Sequence, residues 1–140
     1  MRKTWVVVAD RSRARLFSVA TPKGPLEELE DLVHPEARSH EGDLTSDRPG
    51  RSNDQHVLGA ENSARDQQAH EFAREIVVRL ESGRVEHQME QLIVVAAPDV
   101  LGMLRKTMSG SLAKLVVLEI DKNVTQRKPA DIRKLLPKFL

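Results

Sequence analysis

A chain of 140 residues without a single cysteine has the length of one domain with its own core, and it excludes disulfides, thiolate nucleophiles and cysteine-held zinc or iron–sulfur centres. The net charge of +1 hides an uneven spread: residues 1–15 carry five basic groups and one acid, residues 122–140 carry six and one, and the stretch between is left at −8. Basic ends of this kind attract phosphate backbones if the fold brings them together, and otherwise form scattered solvated surface.

Near the start, residues 4–9 form a continuous β-branched run that ends at the charged turn Asp10-Arg11-Ser12-Arg13. Such a run reads as a strand buried on both faces, at the centre of a sheet. It is far shorter than a signal peptide's apolar region or the roughly 20 residues of a spanning helix. The expectation is therefore a cytoplasmic protein with no membrane segment. Residues 14–20 follow too closely for a crossover helix and should return as an antiparallel hairpin partner before the turn at 21–25. Residues 26–33 leave two readings open. Leu26, Leu29, Leu32 and Val33 have helical spacing, but eight residues between proline-containing breaks also suit an edge strand with its charges toward water.

Residues 34–65 are rich in Ser, Asp, Gly, Arg and His and read as a long loop, the first place to look for function or else an inert insertion. Ser63-Ala64-Arg65-Asp66 then fits a capping box that opens a helix over about residues 64–80, with Phe72, Ile76 and Leu80 facing the sheet and Gly83 ending it. Residues 91–97 form a second buried strand. Pro98 opens a short helix that runs through Met108 and is closed by Gly110, and residues 114–120 supply a third buried strand. A last helix over 129–136 should turn Ile132, Leu135 and Leu136 inward and Arg133 and Lys134 outward. Together these elements predict a single α/β domain over residues 1–140, a mixed five-stranded sheet of order 3-2-1-4-5 with helices on both faces.

Trp5-Val6-Val7-Val8-Ala9-Asp10, then Ala14-Arg15-Leu16-Phe17, the loop Leu44-Thr45-Ser46-Asp47-Arg48-Pro49-Gly50-Arg51-Ser52, and Ala97-Pro98 before Leu101-Gly102-Met103-Leu104-Arg105 together resemble the bacterial host attachment proteins. The likeness runs over nearly the whole chain, and its most specific part is the loop from Ser46 to Arg51. That family is associated with bacterial attachment to host cells, and its fold looks like the middle domain of archaeal and eukaryotic peptide-chain release factors. The resemblance implies a three-layer, ribonuclease H-like α/β/α sheet. Release factors hydrolyse peptidyl-tRNA with a Gly-Gly-Gln loop, and this chain contains no Gly-Gly pair to carry that activity. A shared fold supplies no mechanism.

Two constellations carry candidate chemistry. Asp10, Asp99 and Asp121 each fall at the end of a predicted strand, along the sheet edge where open α/β folds bind ligands. Three such carboxylates suit Mg²⁺ or Mn²⁺ and two-metal phosphoester hydrolysis, although Asp is also an ordinary turn former and helix starter. The other constellation is Arg11 and Arg13 in the first turn with Asp47, Arg48, Gly50 and Arg51 in the loop, where guanidinium groups can hold phosphates bidentately or simply pair with nearby acids. The five histidines, His34, His40, His56, His70 and His87, have no metal-binding spacing, and no Gly-rich nucleotide motif occurs, so no cofactor is expected. With no tyrosine, the aromatic residues Trp5, Phe17, Phe72 and Phe139 read as core or packing residues.

The leading expectation is a non-catalytic binding module that engages RNA or a ribosome-associated partner through basic turns and its C-terminal segment. A divalent-metal phosphoesterase using Asp10, Asp99 and Asp121 and a protein-binding adaptor are the alternatives. The sequence leaves the oligomeric state open.

Overall fold

The computed structural model describes residues 2–34 and 55–140, with the side chains of 55–62 left aside. Five strands, β1 (Thr4–Ala9), β2 (Arg13–Val19), β3 (Leu26–Val33), β4 (Gln91–Ala96) and β5 (Val116–Asp121), form one sheet of order β3-β2-β1-β4-β5. Neighbours β3, β2 and β1 run antiparallel, and β1, β4 and β5 run parallel. The helices are α1 (Gln55–Val85), α2 (Pro98–Thr107), α3 (Gly110–Ala113) and α4 (Pro129–Leu135).

The sheet separates two cores because successive side chains of a strand point to opposite faces. Trp5, Val7 and Ala9 of β1 and Leu92, Val94 and Ala96 of β4 pack with Phe72, Ile76 and Leu80 of α1 and with Leu101 and Leu104 of α2. Val6, Val8, Ile93 and Val95 face the other way, onto Ile132 and Leu136 at the C-terminal helix. All six residues of β1 are buried, as the continuous β-branched run requires of a central strand.

Residues 26–33 are a strand, and the reason lies in its neighbours. The acids of β3 meet cations across the surface: Asp31 pairs with Arg13, Glu28 with Arg15 and Glu30 with Arg79 of α1. The pairing slips by one residue opposite Leu16 and Phe17, which face Glu30 and Glu28, so Leu29 is left out of the ladder and is 44% exposed. A matching slip between β4 and β5 omits Val117, 56% exposed. Each edge strand thus carries an irregularity of the kind that discourages edge-to-edge pairing.

Four sequence expectations need correction. The helix does not begin at the Ser63 box: it starts at Gln55, so residues 55–65 of the expected loop are helical; His34, at its other end, is buried against the Phe72 ring, and 35–54 lie outside the described residues. A polar stretch shows no apolar period, yet it can propagate from turns that are already packed at little cost. Nor does Gly83 end α1. The left-handed residue is His87 (φ 60°), whose amide donates to Arg84 O while the Gln88 amide donates to Gly83 O, a Schellman closure around a non-glycine residue. Gly110 opens α3 instead of closing α2, with Ser109 Oγ capping it by accepting from the Leu112 amide. Finally, β5 is an edge strand of half-buried and exposed residues, not a strand covered on both faces.

Candidate functional site

The parallel strands end along one edge, and the β1–β2 turn is built there around Asp10. Its Oδ1 accepts from the Ser12 and Arg13 amides at 2.9 and 2.8 Å, and its Oδ2 from Thr125 Oγ1 at 2.7 Å. This carboxylate closes a tight turn and ties it to the loop after β5. Asp99 stands in the first turn of α2, accepting from Arg11 Nε at 2.9 Å and from the Val100 amide. Burial pushes its carboxyl upward, but the bond from Arg11 and the Val100 amide outweigh that and hold it below the usual value. Asp121 ends β5 and is exposed. Among the described residues no group of three or more His, Asp or Glu side chains is placed to hold a metal ion.

Arg11 and Arg13 are engaged as well. Arg11 bridges Asp66 of α1, at 2.8 Å, and Asp99. The bond to Asp66 leads the effects that keep its guanidinium above the ordinary value, with burial opposing and Asp99 adding. Arg13 forms a two-pronged pair with Asp31, at 3.0 and 2.7 Å. The other four members of that predicted site, Asp47, Arg48, Gly50 and Arg51, lie outside the described residues.

The fold does bring the two basic ends together, through a side chain the sequence reading did not single out. Arg15, only 7% exposed, donates twice to Glu28 and, from Nη1, to the carbonyls of Thr125 and Arg127. It clamps the start of the C-terminal segment onto the first hairpin. Arg11, Arg13 and Arg15 are thus all engaged by acids or carbonyls.

The C-terminal cations have a different environment. After Leu136 the chain doubles back onto the β2–β3 turn, where Arg133 donates to the carbonyls of Pro22, Gly24, Pro137 and Lys138, and the Leu140 amide donates to Pro22 O. Arg133 was expected to point outward, but the four carbonyls gathered there draw its guanidinium in. The clasp leaves a groove of about 560 Å³ lined by Lys23, Arg133, Lys134, Leu136, Lys138 and Phe139. Phe139, expected as a core or packing residue, is not in the core: it is 64% exposed, with Lys23 Nζ 4.7 Å from its ring centroid. Trp5, Phe17 and Phe72 are buried as expected. Among the described residues no carboxylate is bonded to Lys23, Lys134 or Lys138. The surplus of basic residues in 122–140 was the available signal for this surface; the turn at 21–25 was expected as well, but not that the tail would fold back to set Phe139 beside Lys23.

No helix among the described residues is long and apolar enough to cross a membrane. No curated protein matches the chain. Among solved structures, an archaeal protein is 12% identical with a TM-score of 0.51, over 95% of this chain and 32% of its own, which shows a shared fold. An archaeal translation termination factor is 12% identical with a TM-score of 0.46, over 97% of this chain and 35% of its own. The chain thus spans about a third of the length of each. The family model described as "protein required for attachment to host cells" matches residues 5–136, from the first core strand to the end of the last helix, and the chain belongs to that family.

Proposed function

We propose that this member of the host attachment family is a non-catalytic binding module whose C-terminal basic surface engages RNA, free or within the translation apparatus. The observation that carries the reading is the contrast in pairing: the arginines of the first turn are neutralised by Asp66, Asp99 and Asp31, whereas Lys122, Arg127, Lys128, Lys134 and Lys138 of the C-terminal segment are exposed. Unpaired cations retain the capacity to displace counterions from phosphates. A hydrolytic role finds less support, because Asp10 already accepts four hydrogen bonds and Asp99 is held by Arg11. The ribonuclease H-like character of the fold belongs to the same proposal, supported by the mixed sheet order and by helices on both faces.

The test is equilibrium binding of a labelled RNA across a salt series. Affinity should fall with salt, and Lys122→Ala with Arg127→Ala should flatten the log–log slope by roughly 0.7 per lost contact to a single strand. A parallel Arg48→Ala, Arg51→Ala variant asks whether residues 46–52, which lie outside the described residues, contribute. Absence of RNA binding at about 50 mM salt, where electrostatic attachment is strong, would remove this reading and favour the protein-binding adaptor. Metal-dependent RNA hydrolysis lost in Asp10→Asn and Asp99→Asn would favour the phosphoesterase.

A further inference from the structure

We infer that the groove between the β2–β3 turn and the C-terminal tail is a subsite for one nucleotide of a single strand, with the base stacked on Phe139 and its flanking phosphates met by Lys23, Lys134 and Lys138. The inference rests on the RNA-binding reading and adds to it the place and the strandedness of the ligand.

Three features point to that occupant. Phe139 is 64% exposed; an exposed aromatic residue costs hydrophobic free energy in water, and next to a cation it offers the sequence-tolerant stacking platform used for unpaired bases. The groove's three lysines have no carboxylate partner among the described residues, so its field is positive and suits phosphate, not an apolar or cationic peptide. Its volume, about 560 Å³, lies within the roughly 300–1,000 Å³ typical of small-ligand sites. A base paired in a duplex has its faces covered by stacked neighbours, so the ring favours single strands.

The groove is also pre-shaped. Arg133 spends its guanidinium on the carbonyls of Pro22, Gly24, Pro137 and Lys138, so it is a positioning residue for the tail and not itself a phosphate ligand. The Leu140 amide, bonded to Pro22 O at 3.0 Å, closes the same clasp just beyond Phe139. Little ordering of the tail would then be left for the ligand to drive.

The experiment measures binding of a labelled oligouridylate, an RNA duplex of the same length and inorganic polyphosphate to the full chain. Phe139→Ala should weaken the single strand by about 5- to 150-fold, the range of one lost base stack, and leave duplex and polyphosphate unchanged. Phe139→Trp should retain binding. Lys134→Ala with Lys138→Ala should weaken all three probes and lower the salt dependence. If no RNA binds, the functional reading and the subsite both fall. If RNA binds but Phe139→Ala binds the single strand as the parent does, the subsite alone is overturned. Equal competition by an acidic peptide such as polyglutamate would also overturn it, leaving a plain anion-binding patch. Phe139 makes little core contact, so loss of folding in Phe139→Ala, checked by circular dichroism, would likewise contradict the exposed platform.

Discussion

Gly83 lies against the indole of Trp5: a Cβ on this glycine would stand 2.5 Å from Cη2 and 2.7 Å from Cζ3 of the ring. Trp5 is 3% exposed, with the Arg79 guanidinium 5.2 Å from its ring centroid, so the indole is a buried, packed ring that would have to shift to admit the added carbon. Alanine in place of a mid-helix glycine ordinarily gains about 1 kcal/mol, but forced overpacking costs about 1–3 kcal/mol. Gly83→Ala should therefore destabilise by about 1 kcal/mol, read as a lower urea midpoint by tryptophan fluorescence. Gly102, in α2, has no atom within 4 Å of the same added carbon. Gly102→Ala should raise the midpoint, and the opposite signs of the two variants are the expected result.

Arg15 should be the costliest surface-derived residue to truncate. Its loss leaves Glu28 and the carbonyls of Thr125 and Arg127 without their donor. Glu28 is 32% exposed at its side chain, so water offsets part of the penalty, and Arg15→Ala should cost about 2–3 kcal/mol in urea denaturation. Glu28→Gln keeps an acceptor and should cost less. Equal losses in the two variants would mean that the carbonyl contacts contribute nothing.

Acid should weaken the edge formed by Asp99 and Arg11. Because the folded Asp99 carboxyl is held below its ordinary value, its contribution is complete above the unfolded value, about 4, and is lost as pH falls from there through the folded value. Glu81, held down first by Arg84 and then by Ser109 Oγ, and Glu119, held down by Arg105, act in the same direction. Urea midpoints of the parent and Asp99→Asn should differ near neutral pH and converge in strong acid. A constant difference across the series would mean that Asp99 acts through shape and not through charge.

Removing the tail clasp should loosen the C-terminal residues without unfolding the sheet. In Arg133→Ala the four carbonyls lose a shared donor, with an expected cost of about 1–2 kcal/mol. Amide hydrogen exchange at Leu140 should accelerate, while exchange in β1 and β4 stays slow. If Leu140 keeps the parent's protection, Arg133 does not hold the tail.

Where a segment's environment is uniform, the sequence is explicit about it. Residues 5–9 and 92–96 are continuous apolar runs, and only burial on both faces of a sheet accommodates them. The strand order followed from their connections and from the hairpin's short turn. The face of Phe72, Ile76 and Leu80 was equally legible, since a helix that packs must repeat its apolar positions. The identity of 26–33 was not, because its acids decide for a strand only once Arg13, Arg15 and Arg79 stand opposite. The same holds for the slips that extrude Leu29 and Val117, for the exposed place of β5, and for Gly83, which looks like a helix stop until Trp5 is seen beside it.

The basic C-terminal segment is visible in the composition, but its availability is not. Arg11 and Arg13 are indistinguishable by sequence from Lys134 and Lys138 as candidate anion ligands. What separates them is the distance of carboxylates far along the chain: Asp66 and Asp99 reach Arg11, and Asp31 reaches Arg13, while none of the described acids bonds the lysines. The number of charges is a property of the chain. Which of them remain free for a ligand depends on Coulomb energy, and that falls off over a few ångströms, so only the tertiary structure decides it.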